Sequence, residues 1–240
     1  MGPPVMAITP EAARTELAQA NIPYTQEALV SHVEKGNMEV VGWFLAIGME
    51  VDASNEFGET GLMLASEQGH LEMVQLLLVN KADVKARDLA KRTALMNAAQ
   101  NGHTGIVKLL LEWGAGVNAA SQWKSTALHE ASMNGHYDVV QKLLNAGADI
   151  KMINNAGHTA LVEAIIEGQE SIIRLLISRG ADVNARDLSG HSTGETPLMV
   201  AAMRGKTDIA AVLIAKGAKV NAKTKDGQTA IIYAARAPGD

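Results

Sequence analysis

At 240 residues, 47% of them hydrophobic but only 3% aromatic, the chain is long enough to bury a sizeable core and must build it from small aliphatic side chains. Its formal net charge of -5, from 21 Lys and Arg against 26 Asp and Glu, speaks against a nucleic-acid binder, and the absence of Cys excludes thiol catalysis and cysteine-ligated zinc. No apolar run approaches the roughly 18 to 20 residues of a membrane span, so no membrane insertion is expected.

The first element in chain order is "TPEAARTELAQ". Thr9 reads as an N-cap, Pro10 as the first helical residue and Glu11 as a carboxylate near the positive end of the helix, with Ala13 and Leu17 facing inward. Residues 1–26 are therefore assigned to an N-terminal capping helix. The opening "MGPPVMA" has no charged start and no apolar h-region, which leaves the cytoplasm, or a bacterial periplasm if a signal peptide has been removed. Residues 27–59 form a degenerate first repeat that lacks an N-capping Thr and carries Trp43 and Phe44 where later repeats have Leu.

From residue 60 onward a pattern recurs. The segments "TGLMLA" at Thr60, "TALMNA" at Thr93, "TALHEA" at Thr126, "TALVEA" at Thr159, "TPLMVA" at Thr196 and "TAIIYA" at Thr229 step by 33, 33, 33, 37 and 33 residues. A second marker keeps the same register, as in "GAGVNA" at Gly114, "GADIKM" at Gly147 and "GADVNA" at Gly180. Two motifs holding one period define five central repeats over 60–228 and a half-repeat over 229–240, within one domain spanning 1–240. Each Thr caps a first helix, a Gly about nine residues later (Gly69, Gly102, Gly135) ends it, and a second helix follows with paired apolar positions such as Met73, Val74, Leu77 and Leu78. That stripe is buried only if the repeats stack. The extra four residues between Thr159 and Thr196 are placed at His191, Ser192, Thr193 and Gly194, inserted in a loop tip after Gly190.

The two markers and the 33-residue period resemble those of the ankyrin-repeat family over about residue 27 to the end. The resemblance implies an all-α repeat fold, a solenoid of stacked helix-turn-helix units with β-hairpin loops projecting to one side and a concave groove beside them. It extends to small single-domain bacterial ankyrin proteins, among them a self-protection protein of a predatory bacterium that binds and blocks cell-wall peptidases. Function implied in this way is a non-catalytic protein-binding module, acting as a monomer, that grips a folded partner and inhibits it, the peptidase being one such target. An adaptor or stress-related accessory scaffold without inhibitory action is the alternative.

The family's variable positions, carried onto this chain, supply the candidate partner-binding residues. On the hairpin tips these are Phe57, Glu59, Leu89, Arg92, Trp123, Ser125, His158 and Leu188, with His191 in the inserted tip. On the groove side they are Asn97, Glu130 and Glu163, joined by Glu67, Met133, Met203 and Arg204 at first-helix ends. Large apolar side chains ringed by carboxylates are the composition of an interface with a polar rim. Lys91 and Lys124 stand where other tips carry Gly; if the backbone there needs positive φ, a Lys is strained, and Trp123 beside Lys124 becomes the expected anchor. Residues 1–120 carry 8 basic and 14 acidic side chains (net -6) and 121–240 carry 13 and 12 (net +1), a field that would steer a basic partner toward the first half.

Chemistry other than binding finds no support in the motifs. His70, His103 and His136 each follow the inter-helix Gly and read as structural, and His129 stands at the His of the family's T-P-L-H, where it ties loops together. "GAGVNA" imitates a dinucleotide fingerprint but follows a helix and opens none. No phosphate loop, H-E-x-x-H or G-x-S-x-G is present, so no enzyme, cofactor or metal site is expected.

Overall fold

The structure, a computed structural model, describes residues 8–186 and 194–237. Those residues divide into two compact units, Met1–Gln122 and Trp123–Asp240. Unit one contains α1 (Pro10–Gln19), α2 (Gln26–Glu34), α3 (Met38–Ala46), α4 (Gly61–Gln68), α5 (Leu71–Val79), α6 (Ala94–Gln100) and α7 (Thr104–Glu112). Unit two contains α8 (Ala127–Met133), α9 (Tyr137–Asn145), α10 (Ala160–Glu167), α11 (Glu170–Ser178), α12 (Pro197–Met203), α13 (Thr207–Ala215) and α14 (Ala230–Arg236). Each unit is a stack of helix pairs. In the first, α2 packs on α4 and α4 on α6, while α3, α5 and α7 lie behind them and α1 covers α3. In the second, α8, α10, α12 and α14 form the corresponding row, backed by α9, α11 and α13.

The capping chemistry is largely as expected. Thr9, Thr93, Thr159 and Thr196 accept hydrogen bonds from backbone N–H groups three residues on, which satisfies one orphan donor at each helix start. The first repeat departs from the expectation that it lacks such a Thr: Thr25 caps α2 by accepting from Ala28 N at 3.2 Å, two positions ahead of the 33-residue register, because α2 is one residue longer than α4 and ends one residue earlier in that register.

The first helices end at the repeated Gly, and Gly69 shows why. Its φ is +82°, and a Cβ there would lie 2.6 Å from the His103 imidazole. That imidazole donates from Nε2 to the Glu67 carbonyl at 2.9 Å, and His70 does the same to Glu34 at 3.0 Å. In unit two Gln169 Nε2 donates to the Met133 carbonyl at 3.4 Å. His70 and His103 are thus structural, as expected, and act as staples between successive repeats.

Packing follows the apolar stripe. Met73, Val74, Leu77 and Leu78 on α5, and Ile172, Ile173 and Leu176 on α11, are buried, while Leu111 on α7 is half-buried. On α6 every residue from Ala94 to Ala99 is buried, which a helix achieves only when small side chains let neighbours approach on several sides.

Among the described residues the projecting loops do not form β-hairpins. Among the described residues there is one isolated antiparallel bridge, Ser54 to Thr60, and no strand. Four loops close with a turn and a single bond across the mouth, Asn55 N to Glu59 O (3.1 Å), Asp88 N to Arg92 O (3.2 Å), Asn154 N to His158 O (3.0 Å) and Thr224 N to Gln228 O (2.9 Å), too few for a ladder. The insertion also lies earlier than expected. Gly194, at φ +84° and followed by Glu195 and Thr196, occupies the place that Gly58 holds before Glu59 and Thr60. The four extra residues therefore precede Gly194 and lie among residues 187–193, outside the described residues.

Candidate protein-interaction surface

Side-chain carboxylate and amide groups set the shape of three fingers. Asn55 Oδ1 accepts from the backbone N–H of Phe57 and of Glu59, both at 3.0 Å, and Asn154 Oδ1 accepts from Ala156 (3.0 Å) and His158 (3.1 Å). Asp88 Oδ1 accepts from Arg92 at 2.7 Å. These Asx turns give a short polar residue a purpose at the same place in successive repeats.

Neighbouring fingers are then tied by their backbones. Within unit one Leu89 N donates to the Phe57 carbonyl (3.0 Å) and Gln122 N to the Ala90 carbonyl (2.8 Å); within unit two Asn155 N donates to the Trp123 carbonyl (2.8 Å). Phe57, Ala90 and Trp123 occupy the same finger position. Where that position is aromatic, the main chain is fixed while the ring faces outward: Phe57 is 60% exposed and Trp123 50%, and Leu89 reaches 74%. At the ends of the first helices Met133, Met203 and Arg204 are also exposed. Glu59, Glu67, Arg92, Ser125 and His158 are half-buried. Leu188 and His191 lie outside the described residues.

The predicted groove residues are where the structure corrects the sequence reading. Asn97 and Glu130 are buried, at 4% and 7% exposure, because the position four residues after the capping Thr points back beneath the fingers instead of out to a partner. Asn97 Oδ1 accepts from Arg92 Nε at 3.1 Å, so two residues assigned to the partner hold each other. Glu163 does the same in unit two: its Oε1 accepts from Asn154 Nδ2 at 2.6 Å and pairs with His158 Nδ1 at 3.2 Å. Tyr233, four residues after Thr229, donates from its hydroxyl to Glu195 Oε1 at 2.6 Å. A polar residue recurring in an Ala- and Leu-rich helix was the available signal, since such a group is buried only with a partner.

Electrostatics around this brace is set by the same contacts. Burial alone would raise the Glu163 carboxyl, but hydrogen bonds from His158 and Asn154 outweigh it and hold the group below 4.5. Burial pushes the His129 imidazole below 6.5, against the opposite pull of its bond to the His158 carbonyl and of nearby Glu163. His129 lies between Thr126 Oγ1 (2.8 Å) and the His158 carbonyl (3.1 Å), tying helix to finger as expected. The expected strain is present too, with φ of +59° at Lys91 and +57° at Lys124, but Lys81 (+70°) and Asn21 (+53°) share it away from the fingers. Positive φ is therefore no marker of the tips.

A family model described as "Ankyrin repeats (3 copies)" matches residues 29–121, 114–187 and 188–240. The chain is an ankyrin-repeat protein. Such repeats are generally protein-protein interaction modules and typically non-catalytic scaffolds. Comparison of this ankyrin-repeat protein with curated proteins found no match. Among its described residues no group of three His, Cys, Asp or Glu side chains is placed to share a metal ion, and no helix is long and apolar enough to cross a membrane.

Proposed function

We propose that this ankyrin-repeat protein is a non-catalytic module that grips a folded protein partner through its finger tips and the exposed ends of its first helices. The observation that carries the reading is the combination at Phe57, Leu89 and Trp123: large apolar side chains held in water on backbones that hydrogen bonds have already fixed. Ordering such a surface on binding loses little entropy, which is the condition for a hot spot. In unit two Met133 and Met203 supply adaptable apolar contact, and Arg204 a charged rim. Leu188 and His191 belong to the same proposed surface on register alone.

The finer reading is that the protein acts as a monomer and occludes its partner, a cell-wall peptidase being the target that the likeness to bacterial self-protection proteins suggests. An adaptor or stress-related scaffold is the alternative. The test compares capture from native lysate by the wild type and by the Phe57→Ala, Leu89→Ala, Trp123→Ala variant. A partner retained by the first and lost by the second, with helicity unchanged by circular dichroism, is the expected result; equal capture would sink the tip surface. Assay of the captured partner then separates the two roles, since an inhibitor lowers its activity and an adaptor leaves it unchanged.

A further inference from the structure

Unit one contains an open cavity of about 820 Å³ between α2 and the first finger. Its apolar floor is Val30 and Leu64, and the exposed Phe57 ring forms a wall. Around this floor stand four carboxylates, Glu27 and Glu34 from α2 and Glu56 and Glu59 from the finger, and no Lys or Arg lines it. We propose that this cavity receives an arginine side chain, presented by an extended segment of the protein partner. The inference rests on the protein-binding reading above and names the chemistry one part of that surface selects.

Three properties narrow the occupant. The volume falls within the roughly 300 to 1,000 Å³ of sites for organic ligands, several times what a single ion needs. The carboxylates do not converge, since no three of them are placed to share a metal ion. A ligand must instead cover an apolar floor with one part and meet dispersed negative charge with another. Arginine does both: its aliphatic stem lies along apolar surface, its planar guanidinium forms paired bonds to carboxylates, and it stacks on an aromatic face such as Phe57. A lysine ammonium lacks the planar fork and face.

Charge complementarity is concentrated here. Residues 1–59 carry two basic side chains, Arg14 and Lys35, against nine acidic ones, a net of -7 in a chain whose total is -5. The acidity belongs to this finger and not to the repeat pattern, because the positions of Glu56 and Glu59 hold Leu89 and Arg92 one repeat later. The walls are also fixed before binding. Asn55 Nδ2 donates to Glu59 Oε2 at 2.7 Å, and His70 holds the Glu34 main chain at 3.0 Å.

The test uses the full chain and a labelled, end-blocked Ala-Ala-Arg-Leu-Ala peptide, compared with the same peptide carrying citrulline, the neutral isostere of arginine. NMR titration at low salt should show perturbation at Val30, Ser31, Phe57 and Leu64, with citrulline binding at least about tenfold weaker. The Glu34→Gln, Glu56→Gln variant, both positions being exposed, should lose about tenfold in arginine-peptide affinity at unchanged helicity. Lys216→Ala, at an exposed position in the other unit and outside the proposed tip surface, should leave peptide binding as it is. Equal binding of the two peptides, no binding of either, perturbation elsewhere, or full affinity of the double Gln variant would each overturn the proposal. If the captured partner is lost by the tip variant yet held by the double Gln variant at wild-type affinity, the cavity proposal fails while the binding reading stands; arginine-peptide binding without any tip-dependent partner gives the reverse.

Discussion

Three lysines occupy left-handed backbone where sister repeats carry Gly, and replacing them should stabilise the protein. Lys81 (φ +70°) aligns with Gly114 and Gly147, Lys91 (+59°) with Gly58, and Lys124 (+57°) with Gly157. An L-residue in this region costs roughly 1–2 kcal/mol, which Gly removes. Against that, Gly loosens the unfolded chain and gives back about 0.4–1 kcal/mol. Each Lys→Gly substitution should therefore gain about 0.5–1 kcal/mol. The side chains are exposed, so no burial is lost, and the bonds Lys81 N to Leu78 O and Lys91 N to Asp88 O, both 2.9 Å, involve only the main chain. With no shared partners among the described contacts the three effects should add to about 2 kcal/mol. Urea unfolding reads this as a higher midpoint at unchanged slope. A midpoint that stays or falls in all three single variants would refute the strain argument. Lys81 lies outside the fingers, so Lys81→Gly should stabilise without altering partner capture, whereas Lys124→Gly tests whether the strained tip beside Trp123 matters for binding.

Two further outcomes follow from the brace beneath the fingers. Since burial lowers the His129 pKa, the unfolded chain binds a proton more readily than the native one; this contribution to stability is complete above about 6.5 and is lost as pH falls toward the folded value. Urea melts from about pH 7.5 to about 5 should show that loss in the wild type and a smaller one in His129→Asn; parallel profiles would dissociate the loss from His129. Glu163 acts lower on the scale, its stabilisation present above 4.5 and lost on acidification below it. Glu163→Ala leaves Asn154 and His158 without their acceptor and should cost about 1–3 kcal/mol while speeding amide exchange across 154–158. Weaker partner binding with stability and exchange unchanged would instead return Glu163 to the interface.

What was legible in the sequence was whatever repeats. The period, the capping Thr residues, the Gly before His70 and His103 and the apolar pairs of the second helices all carry local chemistry in a fixed register, so one repeat checks another. Thr25 escaped because α2 starts two residues early, and a period search looks only at the expected position. The place of the insertion is not legible because Gly190 and Gly194 both fit the tip, and only backbone conformation and the Glu-Thr that follows assign it to Gly194. Lys81 is hidden for another reason: it stands in the turn after the second helix, where the second marker varies at several positions between repeats, whereas the tips show the exchange twice, at Lys91 and Lys124.

The groove residues separate along a different line. Variability marked Asn97, Glu130 and Glu163 as candidates for contact, but variability cannot distinguish a residue that meets a partner from one that meets its own finger. Burial can, and it assigns Asn97 and Glu163 to bonds with Arg92, Asn154 and His158. Their contribution to binding is then indirect. A finger held by an Asx turn, a backbone bond to its neighbour and a side chain from beneath, as the Asp88–Arg92 finger is by Asn97, keeps Leu89 in one place before any partner arrives. Rigidity of this kind preserves affinity that a mobile loop would lose in becoming ordered. Loosening the brace should therefore weaken tip-mediated binding even though the braced residues touch nothing outside the chain.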